Sequence, residues 1–191
     1  MSKTKAALLG AALVALAGPA MAGSVYVGGD YQFSALGYPS SNALNLPQHV
    51  SGYDMHAGYR LNSILGVEAG YMSADGSSNG NRLGYDGATL DGFVYLPLAH
   101  GRFEPFLTAG GAWLSATAHN VATSTKPDGT TVTIDTPFWS RDALTWRAGL
   151  GIESQITSHI SARVTARYSG GGFAGRMGER VTLSAGLNFF F

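Results

Sequence analysis

The last eleven residues, VTLSAGLNFFF, restrict the fold of this chain more than any other stretch. Val181, Leu183, Ala185, Leu187, Phe189 and Phe191 alternate with Thr182, Ser184, Gly186 and Asn188, and Phe190 is the one apolar exception. Side chains alternate sides along a strand, so this segment predicts a strand with one apolar and one polar face. A tilted strand needs about 9–11 residues to cross a bilayer, whereas a globular strand averages about five or six. The segment therefore has membrane-crossing length and stops on an aromatic residue.

The amino end predicts export. Lys3 and Lys5 precede an apolar stretch over 6–17, Gly18 and Pro19 interrupt it, and Ala20-Met21-Ala22 supplies small residues for a signal peptidase. Cleavage before Gly23 divides the chain into a signal peptide, 1–22, and a mature domain, 23–191. The twelve-residue apolar run falls well short of the roughly 20 residues of a spanning helix, and no other segment supplies one. A membrane location therefore requires strands.

Removing the leader leaves 169 residues with ten basic and twelve acidic groups, Lys126 being the only lysine. Such a balance offers no basic field for nucleic acid. Charged residues make up 13% of the whole chain, against about 25% in ordinary soluble domains, which argues against a water-facing exterior. Cysteine is absent, so disulfides and thiolate metal sites are excluded. No spacing of His, Asp and Glu suggests a metal centre, and nothing calls for a cofactor.

Period-two segments predict eight strands, over 24–33, 52–61, 64–73, 85–96, 105–116, 142–153, 160–169 and 181–191. The fifth has no clean parity, because Phe106 and Leu107, then Trp113 and Leu114, place bulky residues on both sides. The gaps alternate in length. Those over 35–51, 74–84, 117–141 and 170–179 are long, while Asn62 and Ser63 alone join the second strand to the third. Long loops on one rim and short turns on the other, with an even strand number, fit an up-and-down transmembrane barrel. A soluble lipocalin-like barrel also alternates, with its apolar residues inside. The aromatics argue against it: Phe33, Tyr53, Tyr71, Trp146 and Tyr168 fall at the outer ends of the apolar face, and Tyr59, Phe189 and Phe191 at the periplasmic ends, as two lipid-interface girdles.

If apolar residues face lipid, the lumen receives Asp30, Asp54, His56, Arg60, Glu68, Asp91, Arg147, Glu153, Arg163 and Arg167. An eight-stranded barrel is only wide enough to be filled by side chains, where an unpaired charge costs several kcal/mol. The near balance of sign therefore predicts a paired luminal network. Arg147 and Arg167 are placed opposite one another across the sixth and seventh strands, each requiring a carboxylate from another strand.

Eight strands, a leader, SGYDMHAGYR at 51–60, PFLTAGGAWL at 105–114 and the terminal NFFF together resemble the small OmpA-like and opacity-type outer-membrane barrels. The resemblance covers essentially all of the mature chain. It implies an all-β, eight-stranded antiparallel barrel in the outer membrane of a Gram-negative cell, monomeric and surrounded by lipid and lipopolysaccharide. It also implies that periplasmic chaperones and the barrel-assembly machinery handle the chain, reading Leu187, Phe189 and Phe191 as an insertion signal. The implied function is non-enzymatic: an envelope-structural protein with surface loops available for adhesion or interaction, with a small porin-like passive channel as the alternative.

A lipid A modifying acyl hydrolase is the remote alternative. Arg167-Tyr168-Ser169-Gly170-Gly171 resembles the H-x-S-N segment of lipid A deacylases in its placement before the last loop, with Glu179 as a nominal acid partner. Arginine stands where the histidine base is required, and a guanidinium stays protonated and takes no proton from a serine. No catalytic residue is assigned on this basis. In the third outer gap, Lys126-Pro127-Asp128-Gly129 predicts a turn that extends strands five and six outward as a hairpin, and Phe138 and Trp139 after it are placed at the outer lipid interface, with an exposed contact for a host, phage or neighbouring protein as the alternative.

Overall fold

The computed structural model describes residues 23–37, 46–96, 102–125, 131–171 and 179–191. The expected leader over 1–22 and the Lys126-Pro127-Asp128-Gly129 turn lie outside these residues. Eight antiparallel strands follow one another in chain order: β1 (Ser24–Leu36), β2 (His49–Arg60), β3 (Leu65–Ser78), β4 (Asn81–Tyr95), β5 (Phe103–Thr125), β6 (Thr131–Gln155), β7 (Ile160–Gly170) and β8 (Arg180–Phe190). β1 pairs with both β2 and β8, which closes the sheet into a barrel.

The alternation read in the terminal segment holds around the wall, with apolar residues outside. Val27, Tyr31, Leu90, Leu107, Leu144, Leu150, Val164 and Leu183 are all exposed, whereas Asp30, Asp54, Glu68, Asp91, Arg147 and Arg163 are buried. A wall so apolar on its accessible side is stable only against lipid. β5 now has a parity: Phe106, Thr108, Ala112 and Leu114 point inward, and Leu107 and Trp113 outward.

Short turns occupy one rim. Asn62 holds the β2–β3 turn, its Oδ1 accepting from the Ile64 and Leu65 amides at 2.8 Å, and Thr157 Oγ1 accepts from the His159 and Ile160 amides in the β6–β7 turn. On the outer rim the structure corrects the expected loops. The gap over 74–84 is strand, because β3 and β4 pair as far as Ser78↔Asn81. Asn79 and Gly80 have φ of 51° and 78°, the left-handed pair that a two-residue hairpin turn requires. Strands β5 and β6 likewise pair as far as Thr125↔Thr131, with a bulge beside Ala118 and His119, so most of the expected 117–141 loop is the outward hairpin that the sequence suggested.

Candidate functional site

The lumen is filled in three layers. Nearest the turn rim, Phe93, Tyr95 and Phe106 form a buried aromatic cluster, with ring centroids 5.3–6.1 Å apart, and Tyr26 packs on Phe190 at 5.1 Å. Phe190, the exception to the terminal alternation, thus belongs to the interior. The Tyr26 ring passes so close to Gly58 that a β-carbon there would collide with it.

The middle layer carries the charges. Arg163, 1% exposed, donates to Glu68 Oε2 at 2.7 Å and Asp30 Oδ2 at 3.1 Å, binding β7 to β3 and β1 across the lumen. Tyr26 also donates to Glu68 Oε2, at 3.1 Å. His56 Nε2 lies 2.8 Å from Asn188 Oδ1 and 3.0 Å from Arg163 Nη2, and its Nδ1 is 3.6 Å from Asp54 Oδ1. Gly28 makes room for this pair, since a β-carbon there would strike both the Asn188 amide and the His56 ring. Arg147 donates through Nε and Nη2 to both oxygens of Asp91 and lies 3.7 Å from Asp54 Oδ2. Glu153 accepts from Ser161, from Tyr95 at 3.3 Å and from Asn188 Nδ2 at 3.3 Å. Arg60 is set apart at the turn rim, donating to the partly exposed Glu104 at 2.8 Å and lying 4.0 Å over the Tyr95 ring.

One placement differs from expectation. Arg147 pairs with Ser169, and Arg167 with Gly149, so the two arginines are diagonal on the wall rather than opposite. Arg147 takes Asp91, and Arg167 reaches that carboxylate only at 4.0 Å and Ser184 Oγ at 3.5 Å. Arg180 is a luminal cation that sequence reading missed, although its parity with Thr182 and Ser184 was available. Ser169 is buried and accepts from Arg180 Nη2 at 3.5 Å. Among the described residues this hydroxyl meets a guanidinium, which takes no proton from it.

The outer layer is apolar, which the sequence reading did not anticipate. Leu36, Leu46, Val50, Met72, Leu83 and Leu114 pack there with Tyr85 and several alanines, and Trp139 lies against them. Trp139 therefore covers the interior instead of sitting at the lipid interface, while Phe138 beside it is exposed.

The family model for the outer membrane protein beta-barrel domain matches residues 6–189. No curated protein sequence matches the chain. Among solved structures, Neisserial surface protein A is similar with a TM-score of 0.64 and 16% identity, over 87% of this chain and 97% of that one. Ail, the attachment invasion locus protein of Yersinia pestis, is similar with a TM-score of 0.52 and 13% identity, over 88% and 97%. The N-terminal barrel domain of Pseudomonas aeruginosa OprF is similar with a TM-score of 0.51 and 14% identity, over 88% and 99%. At such identities the likeness is one of fold, and together with the apolar outer wall and the family match over nearly the whole length it places this chain in the outer membrane protein beta-barrel domain family, in the bacterial outer membrane.

Proposed function

We propose that this barrel is a closed, non-enzymatic scaffold of the outer membrane that carries the β5–β6 hairpin to the cell exterior. The observation that supports it is the filled lumen: an aromatic layer, a charged layer bonded across the barrel and an aliphatic layer follow one another along the axis. Each layer obstructs solute for a different physical reason. Rings fill volume, charge pairs resist dehydration and rearrangement, and the aliphatic layer repels ions. The hairpin reaches beyond the end of β4, which pairs with β5 only as far as Asn81↔Asn120, and it presents Ile134 and Phe138 to the outside. These are contact groups for adhesion or interaction.

The same reading covers biogenesis and surroundings. Residues 1–22 are removed on export, periplasmic chaperones and the barrel-assembly machinery insert the chain, and the monomer sits among lipid and lipopolysaccharide. A small passive channel is the rival, favoured by one observation: Arg167 holds its carboxylate only loosely, at 4.0 Å, and an exchange of its partners would open the charged layer. Planar-bilayer recording of purified barrel separates the two. The scaffold reading expects silence, and stable ohmic conductance that changes in Arg147→Ala or Arg167→Ala overturns it. Unchanged acylation of lipid A in cells overproducing the protein is the matching expectation against hydrolase activity.

A further inference from the structure

We infer that His56 is a buried proton-binding site: its ring holds a proton on both nitrogens, and the resulting imidazolium is the fifth cation of the lumen. Among the described residues five carboxylates are buried there, Asp30, Asp54, Glu68, Asp91 and Glu153, against four arginines, Arg147, Arg163, Arg167 and Arg180. Arg60 and Glu104 neutralise one another at the turn rim and leave this count unchanged. A surplus carboxylate in so closed an interior is costly. One bound proton removes the surplus.

The bonding places that proton on His56. Asn188 Nδ2 donates to Glu153 Oε1 at 3.3 Å, so the other end of the amide, Oδ1, is the atom 2.8 Å from His56 Nε2. Turning the amide over would set its oxygen against the Glu153 carboxylate. An amide oxygen only accepts, so Nε2 carries a hydrogen. On the other side of the ring, Nδ1 lies 3.6 Å from Asp54 Oδ1, a buried oxygen with no hydrogen-bond partner. A bare Nδ1 would turn its lone pair toward that oxygen, whereas a protonated one presents positive charge to it. Glu68 Oε2 is a second carboxylate oxygen beside the ring, 3.7 Å from Nε2.

The remaining groups around the ring agree with a cation there. Arg163 Nη2 is 3.0 Å from Nε2 and 3.4 Å from Nδ1, and distances so nearly equal put it over the ring face rather than on the lone pair of either nitrogen. Its own charge is met by Glu68 and Asp30. Tyr26 meets the ring edge-on and donates its hydroxyl to Glu68. Arg147 gives Nε and Nη2 to Asp91 and comes no nearer than 3.7 Å to Asp54, so Asp54 depends on His56 for a close counter-charge. Glu153 accepts from Ser161, Tyr95 and Asn188, which is the bonding of a carboxylate.

Nitrogen NMR of the full barrel in detergent micelles at neutral pH reads the site without touching any luminal residue. Histidine is labelled at its ring nitrogens, and His49→Gln, His100→Gln, His119→Gln and His159→Gln are combined so that His56 alone reports. The inference expects a proton on each ring nitrogen, and a neutral ring with one bare nitrogen overturns it. Unfolding supplies a second readout. His56→Gln leaves the surplus carboxylate behind, and the folded-to-unfolded ratio is expected to fall about a hundredfold or more, as when a buried pair loses one member. Adding Asp54→Asn removes the stranded charge, and the double variant is expected to recover about tenfold or more of that loss. A histidine that merely packs gives the opposite sign, since the second substitution then adds to the first. A double variant no more stable than His56→Gln overturns the inference, as does a His56→Gln barrel of unchanged stability.

Discussion

Arg163 shows what a single residue does in this interior. Its guanidinium is bonded to carboxylates of β3 and β1 and has almost no contact with solvent, so its charge depends on those partners rather than on water. Breaking a buried pair by removing one member strands the other charge and typically costs about 3–5 kcal/mol. Glu68→Gln is accordingly expected to destabilise the barrel by about that amount, read as a lowered urea midpoint in micelles with an unchanged slope. Glu104→Gln removes the partner of Arg60, but Glu104 is partly exposed to solvent, and its loss is expected to cost about 1 kcal/mol or less. Equal effects of the two substitutions would show that the luminal network is hydrated. Apart from Arg180, the network's membership was legible in the sequence because strand parity decides what points inward. Its pairing was not, since Asp30, Glu68 and Arg163 come from three strands and meet only after the barrel has closed.

At the scale of elements, β5 and β6 join two regimes in one hairpin. Up to about Ala118 and Trp139 they form barrel wall, and beyond the bulge they are solvated on both faces, with Thr133, Ile134, Asp135 and Thr136 all exposed. A strand wet on both sides has no reason to alternate, and for this reason the outward hairpin within 117–141 was legible from its turn signal and not from the periodicity that marked the barrel portions. Asn79-Gly80 was a readable turn signal, yet the adjoining segment carries Gly76, Gly84 and several serines, which resemble a loop. The luminal aliphatic layer escaped for a related reason: alternation marks apolar residues as outward, and inward Leu83, Leu114 and Met72 read as noise against it. Trp139 joins the two regimes by capping that layer. Trp139→Ala is expected to cost about 1–3 kcal/mol, below the 3–5 of a fully buried ring. Replacing 121–135 by a two-residue turn should leave the unfolding midpoint nearly unchanged, because Ser124, Thr125, Thr131, Thr133, Ile134 and Asp135 are exposed. A large loss of stability on shortening would mean that the hairpin props the barrel rather than merely projecting from it.

For the whole molecule the decisive contact is closure, in which the last strand meets the first. β8 pairs with β1 from Tyr26↔Phe190 to Leu36↔Arg180, and the Phe191 amide adds one hydrogen bond to the Val25 carbonyl at 3.0 Å. The Phe191 ring stands 74% exposed, touching Phe189 edge-on at 5.2 Å between centroids, so it contributes little buried surface to the protein itself. A net backbone hydrogen bond is worth about 1 kcal/mol, small beside the pairing of the whole strand. Phe191 is thus a minor contributor to the stability of the finished barrel. If the terminal residues Leu187, Phe189 and Phe191 serve as an insertion signal, deleting Phe191 separates assembly from stability. The expected outcome is normal export, a severalfold fall in heat-modifiable folded protein in the outer membrane, and an unfolding midpoint close to wild type for the purified, refolded variant. Normal folded levels in cells refute the signal reading. A midpoint lowered in step with the folded level assigns the defect to barrel closure instead.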